Sequence, residues 1–180
     1  GVRLDDESYK HDEMMEKVRK GMYVLIRESS ISHFMEENMK IVTHLNPRVA
    51  RRVSFCTDDV TAADITQNGH MDKVVRMAIA HGVDPITAIQ MGSINSAEAY
   101  RIDHLVGSIS PGRFADILLI DDLVKFEIDT VIAKGELVVE QGELAIELTP
   151  PLRSDILLNT MKLNKVRAED LCVHTDLNKD

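Results

Sequence analysis

The 180-residue chain is 44% hydrophobic and 28% charged, which is enough apolar material for one globular core or parts of two. Its 30 acidic residues against 21 basic ones, a net charge of −9 with no basic cluster, argue against nucleic acid or an anionic membrane as partner. Aromatic residues make up 4% and Trp is absent, which leaves no base-stacking platform. No apolar run approaches the ~20 residues of a membrane span. Two cysteines, Cys56 and Cys172, give no disulfide framework, and a reducing cytoplasm is the expected location.

In chain order, residues 1–7 read as a short strand that ends in three acids, Asp5, Asp6 and Glu7. A helix is expected over residues 9–20. Residues 22–26 form a cleaner buried strand, closed by Arg27 and Glu28, with a helix expected over 31–44. Residues 53–59 repeat the pattern: a short apolar run stops at Asp58 and Asp59, and helical periodicity follows from 61 to 100. Asp84 and Pro85 suit the N-cap and first position of one of those helices, Gly82 stops the one before, and Ser93 or Asn95 would cap the last.

Three successive strand-then-helix units point to a parallel α/β structure. The expected fold is the last part of a (β/α)₈ TIM-type barrel, with these as its closing strands. A doubly wound sheet stays open as an alternative, although no Gly-rich phosphate loop follows any strand. The chain starts at Gly1, almost directly on a strand. Three units cannot close an eight-stranded barrel, so it reads as a piece of a longer polypeptide or a partner-dependent chain.

After Val106 the signal turns to short strands, over 117–120, 130–133, 137–139 and 144–146, with Gly-centred turns between them. The expected division is 1–105 for the barrel portion, 106–148 for part of an adjoining small β-sandwich, and 149–180 for the start of a further domain or arm. Pro150 and Pro151 mark the last break.

In parallel α/β folds catalytic groups gather at the C-terminal strand ends, which gives Asp58 and Asp59 a chemical use. The competing reading is an ordinary turn in which Asp59 or its neighbour caps the next helix. Arg27, with Glu28 and Ser29, could reach a ligand or the carboxylates, or form an internal salt bridge. His11, His33, His44, His81, His104 and His174 lie away from strand ends, none is paired at metal-ligand spacing, and all read as surface or capping residues. The nine methionines read as core filler.

Residues 19–29 (RKGMYVLIRES), 57–59 (TDD), 68–72 (NGHMD), 84–91 (DPITAIQM) and 107–116 (GSISPGRFAD) together resemble the microbial adenine deaminase family of the amidohydrolase superfamily. The resemblance implies metal-dependent hydrolytic deamination of adenine to hypoxanthine and ammonia, in purine salvage. It further implies a purine base as substrate, a homo-oligomer, and an N-terminal half of the barrel carrying the remaining metal ligands. Asp58 matches the family aspartate that ligates metal and shuttles protons, with Glu7 as a second catalytic group. Asp59, Arg27, Ser29 and His70 fall to substrate-binding or supporting positions. Asp6 stands where the family has a metal-ligating histidine. An oxygen donor there favours manganese, with iron(II) or zinc as alternatives. That departure leaves two other readings open: a related amidohydrolase acting on another cyclic amide, amidine or N-acyl substrate, and a non-catalytic diverged remnant.

Overall fold

The computed structural model describes residues 1–43, 47–149 and 160–172. Three strands, β1 (Leu4–Asp5), β2 (Tyr23–Arg27) and β3 (Val53–Cys56), form a parallel sheet in the order β1-β2-β3. The first four residues of β2 are buried, as a strand covered on both faces requires, and this explains its unbroken apolar run. Helix α1 (His11–Arg19) links β1 to β2. The helix expected over 31–44 is two short ones, α2 (Met35–Asn38) and α3 (Lys40–Thr43). It starts late because Ser29 holds a turn: its Oγ accepts the N–H groups of Ser32 (2.9 Å) and Ile31 (3.3 Å). Residue 44 lies outside the described residues. A 3₁₀ segment, Pro47–Arg52, leads into β3.

Four helices follow β3: α4 (Ala62–Asn68), α5 (Met71–Ala80), α6 (Pro85–Gly92) and α7 (Ile94–Tyr100). Asp84 caps α6 as its sequence predicts, accepting the Thr87 N–H at 3.0 Å. Asn95 is no cap. It lies inside α7, 5% exposed, and donates to the carbonyls of Ala50 (2.8 Å) and Val53 (2.9 Å). Ser93 holds the N-cap position without a side-chain bond there. Its hydroxyl donates back to the Ile89 carbonyl at 2.6 Å.

The switch after residue 105 produces an antiparallel sheet of β4 (Ile117–Asp122), β5 (Glu127–Ala133), β6 (Glu136–Glu140) and β7 (Glu143–Leu144), in sequence order. Two-residue turns at Lys134-Gly135 (φ 51° and 85°) and Gln141-Gly142 (φ 53° and 78°) set the register. Positive φ at both central positions matches the twist of paired strands, which is why Gly ends each turn. Among the described residues these four strands form one antiparallel sheet.

Both sheets belong to one compact unit, Gly1–Ile146, so the change of architecture near residue 105 falls within a shared packing arrangement. Val24, Ile26, Val53 and Phe55 from the parallel strands meet Val74, Val75, Ala78, Ala88 and Met91 from the helices, and Phe126 joins from the antiparallel side. Met14, Met35, Met39 and Met91 are almost fully buried, filling gaps as flexible side chains can. Glu147–Asp180 form the second unit, whose described part holds one 3₁₀ turn, Ala168–Leu171. The expected break at Pro150 and Pro151 lies outside the described residues. Among the described residues no helix is long and apolar enough to cross a membrane.

Candidate active site

The parallel register pairs Arg27 with Cys56, so β2 and β3 finish level, and Asp5 with Val24, so β1 stops three residues earlier and its chain runs on toward the same end. Asp6 and Glu7, then Arg27 and Glu28, then Cys56 to Asp58 therefore follow on one edge of the sheet. Arg27 ties that edge together. Its Nη1 donates to Asp58 Oδ2 at 2.5 Å and to Glu7 Oε1 at 3.1 Å. The guanidinium lies over the Phe34 ring, 5.1 Å from its centroid, a favourable cation–π arrangement. Burial works against its charge, but the Asp58 hydrogen bond and the Glu7 and Asp58 charges outweigh it and raise its pKa. The Nε of Arg27 is buried and without a partner.

Asp58 has φ 51°, in the left-handed region. Such a backbone costs roughly 1 kcal/mol for most residues, and Asp is among the side chains that tolerate it best. Neither it nor Asp59 caps the following helix, because Thr61 does so, its Oγ1 accepting the Asp64 N–H at 3.2 Å. Beside Asp58, the Cys56 thiol is pushed up to about 12 by burial first, then by the Asp6, Asp58 and Glu7 charges, with Arg27 opposing. It stays a neutral thiol, unsuited to act as a nucleophile.

The loops after β2 and β3 are stitched together behind this edge. The Ser30 N–H donates to the Asp59 carbonyl (3.0 Å), and the Thr61 N–H donates to Ser30 Oγ (2.9 Å). Glu28 is 4% exposed and accepts a hydrogen bond from His33 Nδ1 at 2.6 Å. Its other oxygen takes the Met35 N–H at 3.4 Å. His70 Nε2 is hydrogen-bonded to Thr57 Oγ1 at 3.0 Å. The His70 backbone N–H donates to Asp72 (2.7 Å), which also pairs with Arg76 (2.7 Å). Burial opposes the Asp72 charge, yet these two contacts hold its pKa below the ordinary value.

The sequence model of the amidohydrolase family matches residues 9–138. The chain belongs to the amidohydrolase family. It is 59% identical over 170 residues to adenine deaminase 1 of Desulfotalea psychrophila, an alignment covering 94% of this chain and 29% of that protein. Adenine deaminase 1 of Latilactobacillus sakei (56% identity) and adenine deaminase 4 of Rhizobium meliloti (54%) cover 97% and 96% of the chain, again with 29% of their own lengths. The chain thus spans less than a third of the curated relatives it matches. Among solved structures, a β-aspartyl dipeptidase of Fervidobacterium islandicum AW-1 with bound β-Asp-Leu dipeptide aligns with TM-score 0.59 and 16% identity, over 78% of this chain and 39% of the dipeptidase. An adenosine deaminase of Xanthomonas campestris with bound zinc aligns with TM-score 0.51 and 18% identity, over 82% and 38%. At those identities the likeness is one of fold.

Within this amidohydrolase chain, Asp6, Glu7, Arg27 and Asp58 share one strand-end edge. Asp59 is exposed and contributes its carbonyl to the loop, and Ser29 is buried in its own turn. Arg27 has taken the internal salt bridge that its sequence position allowed. His33 is the surface residue its sequence position suggested, with a side chain 65% exposed, and it also pairs with the buried Glu28. The signal for this was Glu28 itself, one residue beyond an apolar run closed by Arg27. Asp5, first of the three acids, turns away from the edge: its partners are Lys17 (2.9 Å) and Ser8 (2.5 Å). Among the described residues no three His, Cys, Asp or Glu side chains converge as a metal site. The oxygen donors suit a hard divalent ion in kind, but with Asp58 engaged by Arg27 they do not by themselves compose a metal centre.

Proposed function

We propose that this chain is part of a longer adenine deaminase, which hydrolyses the C6 amine of adenine to give hypoxanthine and ammonia in purine salvage. The observation that carries this reading is identity of 54–59% to three adenine deaminases across nearly the whole chain. On the same reading, β1 to β3 are closing strands of a (β/α)₈ barrel and β4 to β7 are part of its adjoining sandwich. The enzyme is a cytoplasmic homo-oligomer, Asp59 and His70 stand toward the substrate side, and Ser29 supports them from its buried turn.

The chemistry asked of this chain is proton transfer. Water adds at C6 and the amine leaves as ammonia, so a proton must pass from the water to the departing nitrogen. A carboxylate with one oxygen held and the other free can accept and return it. Asp58 has that form, since Arg27 occupies Oδ2 alone. A divalent metal, manganese by preference because Asp6 offers oxygen where imidazole is expected, would draw most of its ligands from the rest of the protein.

The test is ammonia release by the purified, metal-loaded full-length protein on adenine, guanine, cytosine, hydantoin and N-acetyl amino acids. Adenine should turn over to hypoxanthine with k_cat/K_M well above every other compound. Turnover confined to another member of the panel, or none at all, overturns the reading.

A further inference from the structure

We propose that Arg27 is a positioning residue for Asp58, and that Glu7 serves as its counterweight; this deepens the adenine deaminase reading and rests on it. Arg27 has a side chain 13% exposed, between a carboxylate 33% exposed and one 72% exposed. Both bonds leave from the same nitrogen, Nη1, while the buried Nε goes without a partner. A guanidinium free to choose would turn to use its other donors, because an unmade buried hydrogen bond is unfavourable. Its orientation is therefore imposed. Phe34 fixes the plane of the guanidinium from one face, and the two carboxylates fix which nitrogen lies between them.

The consequence falls on Asp58. Its left-handed backbone leaves the side chain on a turn with no helix cap to restrain it. Arg27 supplies the restraint through Oδ2 and leaves Oδ1 without a partner among the described residues. Glu7, on the neighbouring strand end, holds the guanidinium from the other side. A lysine offers the charge but lacks the planar group that stacks on Phe34.

The experiment compares full-length wild type with Arg27→Ala, Arg27→Lys and Glu7→Gln, using adenine. Misplacing a reacting group by about 1 Å costs up to ~10²-fold. Arg27→Ala should therefore lower k_cat by ~10- to 100-fold and leave K_M within about threefold. Millimolar guanidinium should restore part of the lost k_cat where equal sodium chloride does not. Arg27→Lys should fall between, and Glu7→Gln should lower k_cat by less than Arg27→Ala does, since it acts on Asp58 through Arg27. A raised K_M with k_cat unchanged would make Arg27 a substrate contact and overturn the proposal, as would unchanged kinetics. If Arg27→Ala does not fold by circular dichroism, Arg27→Lys decides by the same split of k_cat from K_M. If wild type itself does not deaminate adenine, the functional reading fails, and positioning is then read from a crystal structure of an Arg27 variant. Asp58 displaced from its wild-type place supports the inference, and Asp58 unmoved overturns it.

Discussion

Replacing Asp58 by asparagine in the full-length protein separates its chemistry from its structural role. Asparagine has the same size and also tolerates a left-handed backbone, so φ 51° adds no new strain. Its amide oxygen can still accept from Arg27 Nη1, now 2.5 Å from Asp58 Oδ2. What is lost is the difference between a charged and a neutral hydrogen bond, about 1 kcal/mol. Glu7, at 3.1 Å, continues to balance the guanidinium. The catalytic loss should be larger, because the amide cannot carry a proton. General acid–base help is worth ~10²- to 10⁴-fold, and 10²-fold already corresponds to about 2.7 kcal/mol of barrier. The expected result is deamination down at least ~10²-fold with a melting temperature lowered by only a few degrees. Following adenine absorbance and ammonia release beside a thermal melt measures both. Near wild-type deamination in a folded Asp58→Asn protein would mean that the reacting edge has been misplaced.

Three further outcomes are expected. Asp5, with a side chain 17% exposed, has its pKa held below the ordinary 3.8: burial opposes this, but Ser8 and Lys17 outweigh it. Its stabilisation is therefore present above that pH and lost as pH falls through the lowered folded value. Asp5→Asn should cost ~1–2 kcal/mol at pH 7 in urea unfolding, with the gap to wild type closing below about pH 4; a gap independent of pH counts against the pairing. Asn95→Leu keeps the branched shape, in a somewhat larger side chain, but strips two buried carbonyls of their donor, and should cost ~2–4 kcal/mol; a loss under ~0.5 kcal/mol contradicts the structural role. Asp6→His in the full-length protein should raise zinc over manganese in bound-metal analysis, and an unchanged ratio removes Asp6 from the metal's surroundings.

Much of this fold follows from local pattern. The apolar run 23–26 closed by Arg27 could be a strand buried on both faces, and nothing in its pattern suited an exposed one. Asp84-Pro85 could start a helix, and the Gly135 and Gly142 turns could close hairpins, because each depends on a few adjacent residues and their φ preferences. Once strands 4–5, 23–27 and 53–56 were parallel, Asp6, Arg27 and Asp58 had to share an edge. Tertiary structure alone decided which groups on that edge pair. Arg27 meets partners 20 residues before and 31 after it in the chain. Asn95 reaches back 45 residues to the carbonyl of Ala50, where the sequence suggested a helix cap. Glu28 is buried against His33 because the turn of Ser29 folds the loop back. Such contacts depend on strand register and on close packing of side chains. Those are properties of the assembled core, and no local stretch of sequence carries them.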